Sequence, residues 1–162
     1  MSTPSLQIVP YTDKYAVAFK QLNTEWLERY FEVEPIDHKV LSNPQQSIIE
    51  PGGWILMALL EVKQQHKPVG TVALINAGNG RLELSKMAVT DQLQGQGIGK
   101  KLLLAAIESF LNSDYQSLFL ESNSALKPAI GLYEAMGFFH TTKPDGDSHY
   151  ARADVYMEYR QK

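Results

Sequence analysis

Between Asp13 and Tyr30 the side chains of Tyr15, Phe19, Leu22, Trp26 and Tyr30 recur at three- and four-residue steps. That period predicts an amphipathic helix with these residues on one face and Glu25, Glu28 and Glu32 on the other. Ahead of it, the short apolar run Leu6–Tyr11 reads as a first strand. Behind it, residues 31–51 are broken by Pro35, Pro44 and Pro51 and read as irregular, with one short helix over Asp37–Leu41.

The pattern then changes to strands. Trp54–Val62, Val69–Ile75 and Leu82–Val89 form an antiparallel meander, with polar turn material at Gln64–Lys67 and a hairpin turn in Asn-Ala-Gly-Asn-Gly at Asn76–Gly80. Ile98, Leu102, Ala106 and Phe110 return to helical spacing, in a helix that runs to about Asn112. Ser117–Glu121 reads as a strand. Pro128–Met136 reads as a helix with Ala129, Leu132, Tyr133 and Met136 inward and Gly137 as its C-terminal cap. Phe138–Thr142 and Asp154–Tyr159 read as the last strands, joined by a polar loop at Pro144–Ser148. This order predicts an α/β or α+β domain around one mixed sheet. If the strands flanking the central helix are parallel neighbours, their connection is right-handed.

Composition narrows the chemistry. A chain of 162 residues suits one domain able to bury its own core, and 44% apolar with 20% charged residues is ordinary for a globular protein. A net charge of -3 gives no general attraction to nucleic acid or an anionic membrane, and leaves room for a small basic site for one anionic cofactor. With no cysteine, disulfides, thiolate nucleophiles and zinc-thiolate sites are excluded. His38, His66, His140 and His149 lack metal-ligand spacing. The first residues, with no charged start before an apolar run, do not read as a signal peptide, and the longest apolar run, Trp54–Leu60, is too short to span a bilayer. A cytoplasmic location is the resulting expectation.

Gln94-Gly95-Gln96-Gly97-Ile98-Gly99 lies between a strand and a helix. Glycines let backbone N–H groups approach a ligand, and the helix start adds donors and a positive dipole end. Such a turn suits phosphate oxygens. Lys100 and Lys101 disfavour the first helical turn by themselves, a cost an anion would offset. The dinucleotide fingerprint fails because its third glycine position holds Lys100. A P-loop fails twice, at Gln94 and Lys101. Gln94, Gly97 and Gly99 do match Q/R-x-x-G-x-G/A. The competing reading is a plain glycine-containing turn.

Residues 83–99, from Glu-Leu-Ser-Lys-Met-Ala-Val to Gly-Gln-Gly-Ile-Gly, resemble the central strand, loop and helix of GNAT acetyltransferases. Residues 129–138, Ala-Ile-Gly-Leu-Tyr-Glu-Ala-Met-Gly-Phe, resemble that superfamily's A-x-x-L-Y-x-x-x-G-F segment. The resemblance is densest over residues 82–140 and loose in the N-terminal half. It implies one GNAT domain over residues 1–162, with a mixed, mostly antiparallel sheet of about six or seven strands flanked by about four helices. It also implies acetyl-CoA as cofactor. Met87, Ala88 and Val89 would meet its pantetheine arm. Gln94, Gly95, Gln96, Gly97, Ile98, Gly99 and Lys100 would form the pyrophosphate loop. A bulge in the central strand would open the slot. Gln94 replaces the commoner arginine, and Leu126 stands where the family often has asparagine, so either Asn123 makes that cofactor contact from a shifted position or the contact is missing.

Transfer of an acetyl group to an amine needs a base for the ammonium, donors for the thioester oxygen and a proton for the leaving thiolate. By resemblance, Tyr133 is the proton donor; the alternative is a core tyrosine. The Met87 N–H is the carbonyl donor. Glu83 is the candidate base, against a strand-end glutamate facing water and a water chain in its place. Alternation puts Glu83, Ser85, Met87 and Val89 on one face unless a bulge resets it. Ser85 is a weaker water-orienting candidate, and Lys86 is expected to snorkel to solvent. For the acceptor, Glu34 and Asp37 belong to an acidic stretch, Trp26 and Tyr30 are core or cleft aromatics, and His149, Tyr150 and Arg152 are candidates for an acceptor carboxylate.

The reading is an N-acetyltransferase that transfers acetyl from acetyl-CoA to a small-molecule or peptide amine by direct attack in a ternary complex, with no metal. Its rivals are a non-catalytic acyl-CoA sensor of the same fold and a nucleotide-binding protein of another fold. A homodimer is compatible with the sequence, which fixes no oligomeric state.

Overall fold

The computed structural model describes residues 5–143 and 151–160. In chain order its elements are β1 Leu6–Pro10, α1 Ala16–Tyr30, α2 Pro35–Ser42, β2 Trp54–Val62, β3 Gln65–Gly78, β4 Arg81–Val89, α3 Ile98–Leu111, β5 Ser117–Ser122, α4 Lys127–Ala135, β6 Phe138–His140 and β7 Val155–Tyr159. The expected loop at Pro144–Ser148, and the candidates His149 and Tyr150, lie outside the described residues.

Local chemistry sets the boundaries. Pro35 opens α2, where it has no N–H to waste, and Asp37 Oδ2 accepts the Glu34 N–H at 2.9 Å. Pro128 sits in the first turn of α4, and Gly137 ends it at φ 110. The β2–β3 turn is tighter than the polar stretch Gln64–Lys67 suggests. Lys63 and Gln64 take φ 51 and 67, so β3 starts at Gln65 and extends to Gly78. The β3–β4 turn narrows to Asn79-Gly80, at φ 55 and 75. Within residues 31–51 the short helix expected over Asp37–Leu41 is present as the longer α2, and a π-helical segment Gln45–Ile49 adds order that the prolines do not suggest.

Among the described residues seven strands form one sheet in the order β1-β2-β3-β4-β5-β7-β6. Every adjacent pair is antiparallel except β4 with β5, the pair joined through α3. The sheet buries both faces. Leu82, Leu84, Leu118 and Leu120 pack toward Leu102, Leu103 and Ala106 of α3. Ile55, Met57 and Ala73 pack toward Phe19, Leu22 and Leu27 of α1, with Leu41 of α2. Truncating a fully buried anchor such as Leu102 to alanine costs about 2–5 kcal/mol.

Candidate active site

The strands β4 and β5 pair only over Arg81–Leu84 and Ser117–Leu120. Beyond that register both strands continue without pairing to each other. A bulge in β4 accompanies the split. Thr71 faces Ala88 and Ala73 faces Ser85, so Lys86 and Met87 together oppose Val72. Lys86 takes φ 53, the left-handed turn of such a bulge. The bulge also resets the strand's faces. Leu82 and Leu84 face α3 before it, Met87 and Val89 after it, while Ala88 turns toward α1. The bulge that the resemblance implies is therefore present and does reset the alternation: Glu83 and Ser85 do not share a face with Met87 and Val89.

A cleft of about 500 Å³ opens where the strands part. Met87, Val89, Leu120 and Tyr133 line its middle, and Trp26 and Phe31 its α1 side. Trp26 stacks near Tyr30 and Phe31, at centroid distances of 5.3 and 5.8 Å. Tyr30 is 41% exposed, which rules out a core role for it.

The glycine loop closes one end. Gly95 and Gly97 take φ 83 and 84, a region costly for any residue with a Cβ, and Gly97 caps α3. A Cβ built on Gly95, Gly97 or Gly99 meets nothing within 4 Å, so this face of the backbone is open. The Lys101 N–H bonds the Gly97 carbonyl at 3.1 Å, while the first-turn N–H groups ahead of it have no partner inside the helix. Those donors, the helix dipole and the exposed Lys100 fit a diphosphate. Gln94 is folded back: its Nε2 donates to the Val89 carbonyl at 3.3 Å and to Asp91 Oδ1 at 3.2 Å. Tyr30 Oη bonds Gln94 Oε1 at 3.3 Å and Arg29 pairs with Asp91 at 2.5 Å, so the end of α1 clasps the loop.

Glu83 and Tyr133, from different elements, both line the cleft. Glu83 lies on β4, and burial first, then the Glu121 carboxylate, lift its carboxyl to about 7, against the opposing pull of Lys86, Lys143 and Arg81. Tyr133 lies on α4 with its ring edge-on to Phe138 at 5.9 Å. Burial pushes its hydroxyl up to about 12, so it stays protonated at any physiological pH.

Lys86 departs from expectation. It does not snorkel to solvent; it is 9% exposed and its Nζ donates to Asp37 Oδ1 at 3.1 Å. Asp37, fully buried, also accepts from Arg152 Nη1 at 2.9 Å and Nη2 at 3.0 Å. Arg152 Nη1 reaches Glu34 Oε2 at 2.8 Å, and the Ala151 N–H donates to Glu34 Oε1 at 3.1 Å. Glu34 and Arg152, each expected at an acceptor, thus first neutralise one another. Asn123 lines the cleft, but its Nδ2 donates to the Arg152 carbonyl at 2.6 Å and its Oδ1 accepts the Ala125 N–H at 2.8 Å. The ion pair between Asp37 and Lys86 escaped sequence reasoning. Its one trace was a lysine amid the apolar residues of β4.

Among the described residues no group of three or more His, Cys, Asp or Glu side chains is placed to hold a metal, and no helix is long and apolar enough to cross a membrane. Residues 19–138 match the model of the Acetyltransferase (GNAT) family. Over 88 residues the chain is 33% identical to an uncharacterized N-acetyltransferase of Escherichia coli; the match covers 54% of this chain and 53% of that protein, so the chain spans about half the length of that relative. A GNAT acetyltransferase from Staphylococcus aureus superposes with a TM-score of 0.83 at 20% identity, covering 96% of this chain and 98% of that one. The PaiA N-acetyltransferase of Thermoplasma acidophilum, solved in complex with coenzyme A, does so with a TM-score of 0.72 at 16% identity, covering 97% and 99%. At such identities the two structural likenesses speak to the fold alone.

Proposed function

We propose, for a chain that belongs to the GNAT acetyltransferase family, that the cleft between β4 and β5 transfers an acetyl group to a primary amine by direct attack in a ternary complex. The family is one of acyltransferases that use acetyl-CoA. Bound at the cleft, that cofactor supplies an activated acetyl carbonyl on a thioester.

The chain's residues then divide the work. The N–H groups of Gln94, Gly95, Gln96, Gly97, Gly99 and Lys100 hold the diphosphate, with Ile98 anchoring the first turn of α3 in the core. The backbone of Met87, Ala88 and Val89 runs unpaired toward β5 and offers the pantetheine arm an added strand. The Met87 N–H donates to the carbonyl oxygen as it gains negative charge. Glu83 takes the proton that the acceptor ammonium must lose. A carboxyl held near 7 suits a base at neutral pH. Tyr133 would give its hydroxyl proton to the departing sulfur and regain one, directly or through water, from the second proton that the acylated nitrogen sheds; without a cysteine no acyl-cysteine step intervenes.

Trp26 and Phe31 give the cleft an apolar wall and Glu83 lines the same cleft, a combination that favours a small-molecule or peptide amine that arrives as a cation. With Arg152 engaged by Glu34 and Asp37, an acceptor carboxylate gains less from it than a free guanidinium would give.

The observation that carries this reading is that Glu83 and Tyr133 line one cleft at the parting of β4 from β5, with the open glycine loop at its end. The test has two arms. Acetyl-CoA raises the melting temperature where ATP and NAD do not. An amine panel with acetyl-CoA then releases free thiol. Stabilisation by ATP or NAD in place of acetyl-CoA overturns the ligand class. Acetyl-CoA binding with no thiol release from any amine overturns the enzyme reading in favour of a sensor.

A further inference from the structure

Four non-glycine residues among those described have a left-handed backbone, and three of them, Lys63, Gln64 and Asn79, sit in exposed hairpin turns. The fourth is Lys86, buried in the middle of the central strand. A bulge of this kind ordinarily has glycine at the left-handed position, since a Cβ there crowds the backbone. A lysine holds it here, so something must offset the strain.

We propose that the Asp37–Lys86 ion pair is a positioning device for acyl transfer: it holds the β4 bulge in its left-handed turn, and so sets the direction of the Met87 N–H and the width of the slot between β4 and β5. The pair is built as a tether. Lys86 Nζ reaches Asp37 Oδ1 at 3.1 Å. The aspartate has no freedom to follow it, because Arg152 Nη1 and Nη2 and the Glu34 N–H fill its remaining acceptor positions at 2.9, 3.0 and 2.9 Å. Three pieces of chain around the cleft therefore meet at one buried carboxylate: the bulge of β4, the first turn of α2, and the segment before β7. Apolar side chains of similar volume often replace such a buried pair with no loss of stability, so a geometric role accounts for its presence better than stability does. Breaking a local rule at the strand that flanks the cleft is where function and strain are expected to coincide.

The inference rests on the role proposed for the Met87 N–H, and two variants test it. Lys86→Met keeps a Cβ and most of the side chain and loses the charge. Lys86→Gly also loses the charge and accepts the left-handed turn without strain. Each is measured for melting temperature without cofactor, for the Kd of acetyl-CoA by calorimetry, and for kcat and KM. Lys86→Met is expected to melt lower, to bind acetyl-CoA severalfold more weakly and to lose about a hundredfold in kcat, the scale of a misdirected catalytic contact. Lys86→Gly is expected to recover most of the loss in acetyl-CoA affinity and kcat, and the part of the melting-temperature loss that backbone strain causes. Glycine as impaired as methionine, or methionine equal to wild type, overturns the proposal. If Lys86→Met does not fold, Lys86→Ala, with the same Cβ, takes its place in the comparison. Wild-type protein that fails to bind acetyl-CoA sinks the acetyltransferase reading instead, and the melting temperatures of the two variants still decide whether the pair holds the bulge.

Discussion

Glu121 stands on β5 two residues beyond Phe119, the partner of Glu83, and its carboxylate works against ionisation of the Glu83 carboxyl across the parting strands. Burial is the larger cause, and together they place Glu83 at about 7. A carboxyl raised in this way stays protonated below that pH and accepts a proton only above it. If Glu83 is the base, kcat/KM rises with pH through about 7 and then levels off. Glu83→Gln abolishes the limb and lowers the plateau by about 10²–10⁴-fold, and Glu121→Gln moves the limb to lower pH. Stability runs the other way. The folded state holds the proton more tightly than the unfolded chain, so the fold loses stability as pH climbs from the ordinary carboxyl range through 7. Glu83→Gln therefore gains on wild type in melting temperature at about pH 8. An acid limb unchanged in Glu83→Gln assigns the base elsewhere.

Tyr133 is the proton donor only if its hydroxyl matters in the transition state and not in binding. Tyr133→Phe is expected to lower kcat by about 10²–10³-fold and to leave the acetyl-CoA Kd within about twofold. Because burial holds the hydroxyl at about 12, Tyr133 causes no fall in wild-type activity on the alkaline side below about pH 10. Thiol release equal to wild type in the variant removes Tyr133 from the chemistry and leaves it as a core ring against Phe138.

The parts of the site that were legible in the sequence are local in it. Gln94–Gly99 and the Leu-Tyr…Gly-Phe segment each declare themselves within ten residues, because a phosphate turn and a helix cap need particular residues at fixed spacing. The Asn79-Gly80 turn was legible for the same reason, whereas Lys63-Gln64 takes the same backbone with no glycine to announce it. The bulge was implied by the family resemblance, but its place was not legible in the residues themselves. Leu82 and Leu84 set a period that Lys86 continues by position, and only pairing with β3 reveals the extra residue. In residues 31–51 the short helix over Asp37–Leu41 was legible, but its true start, marked by Glu34, Pro35 and Asp37, was masked by the three prolines around it. The bond from Arg152 to Asp37 joins residues 115 apart, and no local pattern encodes it.

Gly97 and Gly99 separate the needs of the fold from those of the cofactor. At Gly97, φ is 84, and alanine there costs about 1–2 kcal/mol from the backbone, so Gly97→Ala lowers the melting temperature even without cofactor. Gly99 is an ordinary helical residue in the first turn of α3, and a Cβ on it meets nothing within 4 Å. Gly99→Ala should therefore stabilise the cofactor-free protein by up to about 1 kcal/mol through helix propensity. The same methyl enters the face assigned to the diphosphate, so acetyl-CoA binding weakens. A variant both more stable and equally tight for acetyl-CoA would place the diphosphate somewhere other than this turn.

Asp37 makes the fold sensitive to acid. Burial by itself would raise its carboxyl, but the Arg152 guanidinium, the Glu34 N–H and the Lys86 ammonium outweigh that and hold it below the usual aspartate value. A carboxyl depressed in the folded state contributes stability above its unfolded pKa and loses it as pH falls through the folded one. Asp37→Asn strands Lys86 and part of Arg152 with a neutral partner in a buried place, and breaking such a pair costs about 3–5 kcal/mol near pH 7. Toward pH 3, below about the unfolded aspartate pKa, wild type must protonate the same group, so the gap between the two proteins narrows. Urea midpoints of both proteins across that range measure it. A gap of constant size would mean that the carboxylate's charge contributes nothing, and that the cost of the variant lies in packing around the first turn of α2.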